Sequence, residues 1–214
     1  MAIKPPTIEP YLDKPIDPIL AIERAIESSD DLENLLFEDA DLLGITTRRL
    51  EFTGCRFVRC SFVDFDVKRL SFTDCQFDHC DFSNFEFSGC SLVRVAFEDC
   101  RLTGATFLDA SLMHVQFQSC MLTYIAFGRS TLKQTRFAQC DMTNASFRSV
   151  KHDLPKLESC KLIASEWVET PLKGMDLSDC EIAGLLVSDG AWRGAILDAS
   201  QLLELARLMG VVVK

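Results

Sequence analysis

Residues 70–89 read LSFTD CQFDH CDFSN FEFSG, and a phenylalanine stands at the centre of each block of five. This spacing extends from Leu32 to Leu197, where the 34 successive fifth positions are all apolar except Thr47 and His152. An α-helix repeats its faces about every 3.6 residues and a β-strand every two, so neither element gives a period of five. The pattern therefore indicates an internal repeat, which must be interpreted as such before any single element.

The cysteines add a second, longer period. The chain has ten of them, and each lies two residues before a periodic apolar residue: Cys55, Cys60, Cys75, Cys80, Cys90, Cys100, Cys120, Cys140, Cys160 and Cys180. Seven of these, from Cys60 to Cys180, recur every twenty residues, which supports a turn made of four blocks. We interpret the cysteines as small buried thiols, with disulfides or a metal site as the alternatives. No CxxC pair occurs, and His79, His114 and His152 lack ligand-like spacing to the cysteines, so we expect no metal and no cofactor.

The charge and the hydropathy pattern narrow the class of protein. The net charge is −10 and the pI is near 4.8, which argues against direct nucleic-acid binding because that needs clustered lysine and arginine. A basic partner remains compatible with this charge. No apolar run reaches the roughly 18 residues that predict a membrane span, and the N-terminal MAIKPPTIEP lacks the pattern of a secretory signal. A cytoplasmic location is the expectation.

Two segments depart from the repeat. Residues 1–31 begin with a proline-rich stretch, and Asp17 followed by Pro18 predicts an N-capped helix. We interpret residues 1–31 as a cap over the first coil because the helix offers an apolar face; a functional arm is the alternative. Around residues 150–156, His152 takes a core position and Pro155 a small-residue position, with Leu154 as an alternative core residue. This block predicts either a local bulge or a partner-contacting bump.

The blocks resemble a known family. CDFSN (80–84), CRLTG (100–104), ATFLD (105–109), CDMTN (140–144) and MDLSD (175–179) are similar to the A(D/N)Lxx motif of the pentapeptide-repeat proteins. The resemblance implies an all-β solenoid, a right-handed quadrilateral parallel β-helix of about eight coils over residues 32–197. An N-terminal cap segment would precede it, and a C-terminal α-helix with a short tail would follow it over residues 198–214. At about 4.8 Å between strands, such a rod is roughly 40 Å long.

The C-terminal part carries a narrower resemblance. The Trp-containing CKLIASEW (160–167) and the apolar helix ending in LMGVVV are similar to the Qnr quinolone-resistance proteins and their mycobacterial relatives. Asp198 or Ser200 is expected to cap this helix and Gly210 to end it. The resemblance implies a homodimer through the terminal segment, with the interface residues Leu202, Leu205, Leu208, Met209, Val211 and Val213.

The same resemblance implies a partner. Qnr-like proteins are thought to mimic duplex DNA and to bind DNA gyrase or topoisomerase IV, which limits poisoning by fluoroquinolones. The corresponding acidic surface in this sequence would comprise Asp64, Asp78, Asp81, Glu98, Asp99, Asp176, Asp179 and Glu181. The alternative is a solvated surface without a partner. Residues 32–197 contain no insertion, unlike the Gram-negative members with projecting loops, so the chain looks more like the loop-free Gram-positive type.

Two other classes of function are the alternatives to a topoisomerase ligand. One is an interaction scaffold with a different partner and no topoisomerase role, since a fold alone does not define a function. The other is an enzyme, which the sequence disfavours: it contains neither GxxxxGK nor GxGxxG, and blocks of five leave no long loops from which to build a catalytic cleft.

Overall fold

The computed structural model describes residues 2–188 and 190–208. Residues twenty positions apart are neighbours in parallel ladders: Leu92, for example, pairs with Phe72 on one side and with Leu112 on the other. The same register holds from Leu32 paired with Phe52 to the bridge between Asp176 and Ile196. The chain is thus a parallel β-solenoid of about eight coils of twenty residues, which confirms the predicted fold class.

Within the described residues, seventeen short strands form the coils. They are β1 Leu32–Glu33, β2 Leu36–Glu38, β3 Asp41–Leu43, β4 Thr46–Thr47, β5 Leu50–Thr53, β6 Arg56–Val58, β7 Ser61–Val63, β8 Asp66–Val67, β9 Leu70–Asp78, β10 Ser91–Glu98, β11 Ser111–Gln118, β12 Thr131–Lys133, β13 Arg136–Ala138, β14 Lys151–His152, β15 Lys156–Glu158, β16 Glu166–Trp167 and β17 Leu186–Val187. Two α-helices flank them, α1 Pro18–Ser28 and α2 Leu202–Leu208, with a 3₁₀ turn over Ala199–Gln201.

Each coil has four faces. We name them A, B, C and D after the central residues Leu32, Phe37, Leu42 and Thr47 and the residues that follow each at intervals of twenty. Most corners between faces use a residue with a positive φ angle two positions after the central one, such as Asp74 at 53°. This left-handed backbone conformation turns the chain sharply; glycine tolerates it best, and asparagine and aspartate tolerate it better than most other residues. The A/B corner consists of residues 34, 54, 74, 94, 114, 134, 154, 174 and 194.

The core is a set of vertical columns of side chains. Inside face B, phenyl rings stack from Phe37 to Phe137 with centroid separations of 4.8 to 4.9 Å. All ten cysteines are free and buried. Along the seven-membered ladder each thiol donates to backbone carbonyls; that of Cys100, for instance, reaches Phe77 O at 3.5 Å and Glu98 O at 3.3 Å. The predicted packing role of the cysteines is confirmed.

Different structural elements cover the two ends of the solenoid. At the N-terminal end, the carboxylate of Asp17 accepts the N–H of Leu20 and starts α1 as predicted, and α1 buries Ile22 and Ala25 against the first coil. At the other end, Asp198 caps the 3₁₀ turn, and the buried side-chain amide of Gln201 donates to Leu177 O and Cys180 O, both at 2.7 Å. These hydrogen bonds satisfy backbone carbonyls that would otherwise need donors from a further coil.

The irregular block keeps the register of the coil. His152 pairs with Leu132 in face A, and its ring Nε2 lies 2.9 Å from Pro171 O. Pro155 is buried as the sequence predicts, but Leu154 points outward at the A/B corner and is 48% exposed. Leu154 is therefore not the core residue of this block.

The N-terminal arm, which we define as residues 2–12, does not lie over the first coil. Only α1 does so. The arm runs along the A/B corner, where the Thr7 N–H donates to Asp74 and the Lys4 N–H donates to His114. The interpretation of residues 1–31 as a single cap was thus incomplete, since the proline-rich half follows the side of the solenoid across several coils.

Candidate functional surface

Seven of the eight predicted acidic residues lie along one edge of the solenoid. We name it the B/C edge: the outward side chains of face B, the corner that follows, and the first outward side chain of face C. Its predicted members are Asp78, Asp81, Glu98, Asp99, Asp176, Asp179 and Glu181. Asp64 is separate, because it occupies the C/D corner on the far side of face C. The alternation of inward and outward residues in each block brings these carboxylates together.

Four of these carboxylates serve contacts within the chain. Asp78 lies 3.6 Å from the guanidinium of Arg56 and 2.5 Å from His79 Nδ1, and its hydrogen bond to His79, together with its charge, raises the pKa of His79 above the ordinary value. The other three accept hydrogen bonds from nearby serines: Asp81 from Ser83, Asp176 from Ser178 and Asp179 from Ser159. The serine bonds lower the pKa of Asp176, so this carboxylate stays ionised.

The other four are free for a partner. Within residues 2–188 and 190–208, the carboxylates of Asp64, Glu98 and Glu181 form no ion pair or hydrogen bond, and that of Asp99 interacts with the charge of His79. All four are exposed. Glu98 and Asp99 are adjacent in sequence and project from the same coil, so they form the most available pair of negative charges on the B/C edge.

Basic and neutral residues interrupt the edge. Arg59 binds Asp39 at 2.6 Å and Glu38 at 3.1 Å, and Lys14 and Arg59 together lower the pKa of Glu38. In the middle coils the edge carries uncharged side chains such as Gln118 and Gln139, which hydrogen-bond each other at 2.7 Å, and the single carboxylate of Asp141, which accepts the Thr143 N–H at 3.0 Å. Above them, Arg136 binds Glu158 at 2.6 Å. The negative charge is thus divided into two patches.

The C-terminal end presents an apolar surface. Leu202 and Leu203 of α2 are 55% and 52% exposed, Ile196 in the last coil is 49% exposed, and Leu205 is half-buried. Of the predicted dimer residues, the side chain of Leu208 and all of Met209, Val211 and Val213 lie outside the described residues. Leu203 and Ile196 were not in the predicted set, although an isoleucine in an outward position of the repeat is a signal that could have identified Ile196.

The surface also contains open hollows. One of about 650 Å³ lies beside the C/D corner and includes Asp64, Asp66 and Glu86. The carboxylate of Asp66 binds Lys68 at 2.8 Å, and that of Glu86 accepts the Ser88 N–H at 3.1 Å. Among the described residues, no group of three or more His, Cys, Asp or Glu side chains could hold a metal ion. No helix in the described part of the chain has the length and apolar character needed to cross a bilayer.

Comparisons with known proteins agree with this geometry. Residues 70–147 match the family model described as a pentapeptide repeat region. A search of curated protein sequences found no match. Among solved structures, a trypsin-treated variant of QnrB1, described as a plasmid-mediated fluoroquinolone resistance protein, is 19% identical over 86% of this chain and 92% of that chain, with a TM-score of 0.51.

Two cyanobacterial structures are also similar. HetL of Nostoc, described as a pentapeptide repeat protein involved in heterocyst differentiation regulation, is 13% identical over 83% of this chain and 92% of that chain, with a TM-score of 0.36. Rfr23 of Cyanothece is 11% identical over 84% of this chain and 99% of that chain, with a TM-score of 0.28. Residues 70–147 are therefore a pentapeptide repeat region, and the chain has the solenoid fold of the pentapeptide-repeat proteins.

Proposed function

We propose that this protein is a DNA mimic that binds DNA gyrase or topoisomerase IV in the cytoplasm and gives low-level protection against fluoroquinolones. The observation that carries the proposal is the B/C edge, where Asp78, Asp81, Glu98 and Asp99 form one acidic patch along the rod and Asp176, Asp179 and Glu181 form a second. The similarity in fold to QnrB1, a fluoroquinolone resistance protein, supports it. In this function the protein acts as a ligand of the topoisomerase, and we assign it no catalytic residue.

The charge density sets a limit on the mimicry. Duplex DNA carries about one negative charge per 1.7 Å, so a dimeric rod of roughly 80 Å would replace about 47 charges. Two chains of net charge −10 supply −20. We therefore propose a partial mimic, in which the width of the rod and the two acidic patches of the B/C edge matter more than the total charge.

The dimer is part of the same proposal. The exposed leucines of α2 and the adjacent Ile196 would meet their equivalents in a second copy, which would double the length of the rod. Predicted interface residues Leu202 and Leu205 belong to this surface, and Leu203 is added to it on the basis of its exposure.

A supercoiling assay tests the function. Purified protein at micromolar concentration is added to DNA gyrase with and without ciprofloxacin, and we expect it to alter supercoiling or to restore it in the presence of the drug. The double variant Glu98→Lys/Asp99→Lys should lose the effect. Glu23→Lys/Glu27→Lys makes the same change of charge on exposed residues of α1 and should retain it.

An interaction scaffold with another partner is the second candidate. The division of the B/C edge into two patches and the use of four carboxylates in internal contacts favour it over a continuous DNA-like surface. If the protein leaves supercoiling unchanged with both enzymes and immobilised protein retains no gyrase or topoisomerase IV subunit, the topoisomerase proposal is wrong and the scaffold takes its place.

A further inference from the structure

The arm of residues 2–12 occupies a side of the solenoid that the proposed function does not use. Two backbone N–H groups attach it: that of Thr7 donates to Asp74 Oδ1 at 2.8 Å, and that of Lys4 donates to His114 Nδ1 at 3.2 Å. Both acceptors belong to the A/B corner. Lys4 and Thr7 are three residues apart, whereas Asp74 and His114 are forty residues, or two coils, apart.

These two spacings match for a physical reason. Pro5 and Pro6 fix their own φ angles and hold the preceding residues extended, which favours the polyproline II conformation. That conformation rises about 9.3 Å over three residues. Two coils of a parallel solenoid are about 9.6 Å apart. A polyproline II segment laid along the corner therefore presents an N–H to every second coil.

The acceptor on the corner is preformed. The guanidinium of Arg94, one coil above Asp74, binds both carboxylate oxygens at 2.6 and 2.7 Å and lowers the pKa of Asp74. The side chain of Asp74 is only 14% exposed, so its position is fixed with one oxygen directed at the arm. Ile3 and Pro6, also three residues apart, are half-buried against the solenoid, which adds an apolar contact at the same period.

The same three-residue period of N–H donors explains where the arm leaves the A/B corner. Continuing the pattern, residue 10 would donate an N–H toward Asn34, but residue 10 is a proline and has none. The chain instead reaches Asp13, whose N–H donates to Asn34 O at 3.0 Å and whose carbonyl accepts from Leu36 at 2.9 Å. The arm is therefore bound as a short peptide over the middle coils and joined to the cap by a separate backbone contact.

We propose that the A/B corner around Asp74, Arg94 and His114 is a binding site for extended, proline-containing peptides, and that residues 2–12 are a tethered ligand occupying it. The partner that fits is a polyproline II segment with two N–H donors three residues apart and an apolar side chain facing the corner. Such a partner gains access by displacing the arm. The site is independent of the acidic B/C edge and of any topoisomerase role.

The test uses the full chain and removes only the two donors. Lys4→Pro/Thr7→Pro keeps the arm extended but deletes both N–H groups, whereas Lys4→Ala/Thr7→Ala changes the same side chains and keeps them. A dye on the N-terminus should rotate freely in the proline variant and slowly in the alanine variant and the parent, as measured by time-resolved anisotropy. Equal mobility in both variants overturns the tethered-ligand part of the proposal.

A peptide of residues 2–13, labelled and added in trans, tests the site itself. A short tether supplies an effective concentration on the order of 1 mM, so a specific site should bind the free peptide with a dissociation constant below that. We expect saturable binding to the proline variant, at least tenfold tighter than to the alanine variant, whose own arm competes. Absence of saturation up to about 1 mM, or equal binding to both variants, shows that the corner is no peptide site.

Discussion

The indole ring of Trp167 stacks on the phenyl ring of Phe147, with the ring centroids 4.0 Å apart and the ring planes inclined by 13°. This pair ends the aromatic column inside face D, where Phe87, Phe107, Phe127 and Phe147 follow one another at 4.3 to 5.0 Å. The next residue in the column is Val187, which is only partly buried. Trp167 therefore connects the stacked rings to the less tightly packed C-terminal coils.

Removing the ring of Trp167 should weaken this connection. We expect Trp167→Ala to lower the free energy of unfolding by about 3–5 kcal/mol, the usual cost of deleting a buried aromatic side chain. Trp167→Phe continues the column and should cost clearly less, about 1.5 kcal/mol or below. Urea unfolding followed by circular dichroism measures both. Similar losses for the two variants would show that a phenyl ring at this position does not continue the column.

The cysteine columns predict chemical inertness. All ten thiols are buried, and burial raises the pKa of Cys90 to about 12 and that of Cys100 well above its ordinary value. Since the thiolate is the reactive form, the native protein should not react with a thiol reagent at pH 8 on the timescale of minutes. In denaturant all ten should react. A thiol that reacts rapidly in the native state would contradict the packing described here.

His79 provides a pH-dependent reporter on the B/C edge. Its pKa is raised above the ordinary value of 6.5, first by its hydrogen bond to Asp78. In an NMR titration His79 should therefore remain protonated to a higher pH than in Asp78→Asn. The effect on stability follows from linkage. The contact stabilises the folded state at a pH below the pKa of His79 in the unfolded chain, and this stabilisation is lost as the pH rises through the raised pKa of the folded state. An unchanged titration in Asp78→Asn would show that the contact does not form in solution.

The five-residue period indicated an internal repeat, because each block repeats the same choice of inward and outward residues, and the resemblance of the blocks to those of the pentapeptide-repeat proteins implied the solenoid. The register from Leu32 to Leu197 and the burial of the cysteines follow from that pattern without long-range information. It could also place seven carboxylates on one edge, since position within a block determines direction. It did not show which were already bound: the contact of Asp179 with Ser159, for example, joins residues twenty positions apart.

The position of the arm also depends on contacts between residues that are far apart in sequence, so the sequence alone did not predict it. Its prolines predict an extended chain but give no direction, and its attachment depends on side chains that lie far along the sequence, Asp74 at 67 residues from Thr7 and His114 at 110 residues from Lys4. The outward position of His114 in its block makes it one of many polar corner residues. Only the three-dimensional stacking of the coils shows that Asp74 and His114 match the spacing of the arm.

The last prediction concerns the proposed dimer. An aspartate at an exposed position of α2 would place a charge in the interface without affecting the fold of the monomer, so Leu202→Asp/Leu203→Asp should be monomeric by light scattering. Leu43→Asp is the matched control, because Leu43 is a similarly exposed leucine in the first coil, and it should leave the dimer unchanged. Both proteins should show the same circular dichroism spectrum. If the double variant remains dimeric, α2 serves only to cover the last coil, and the rod pairs through another surface or not at all.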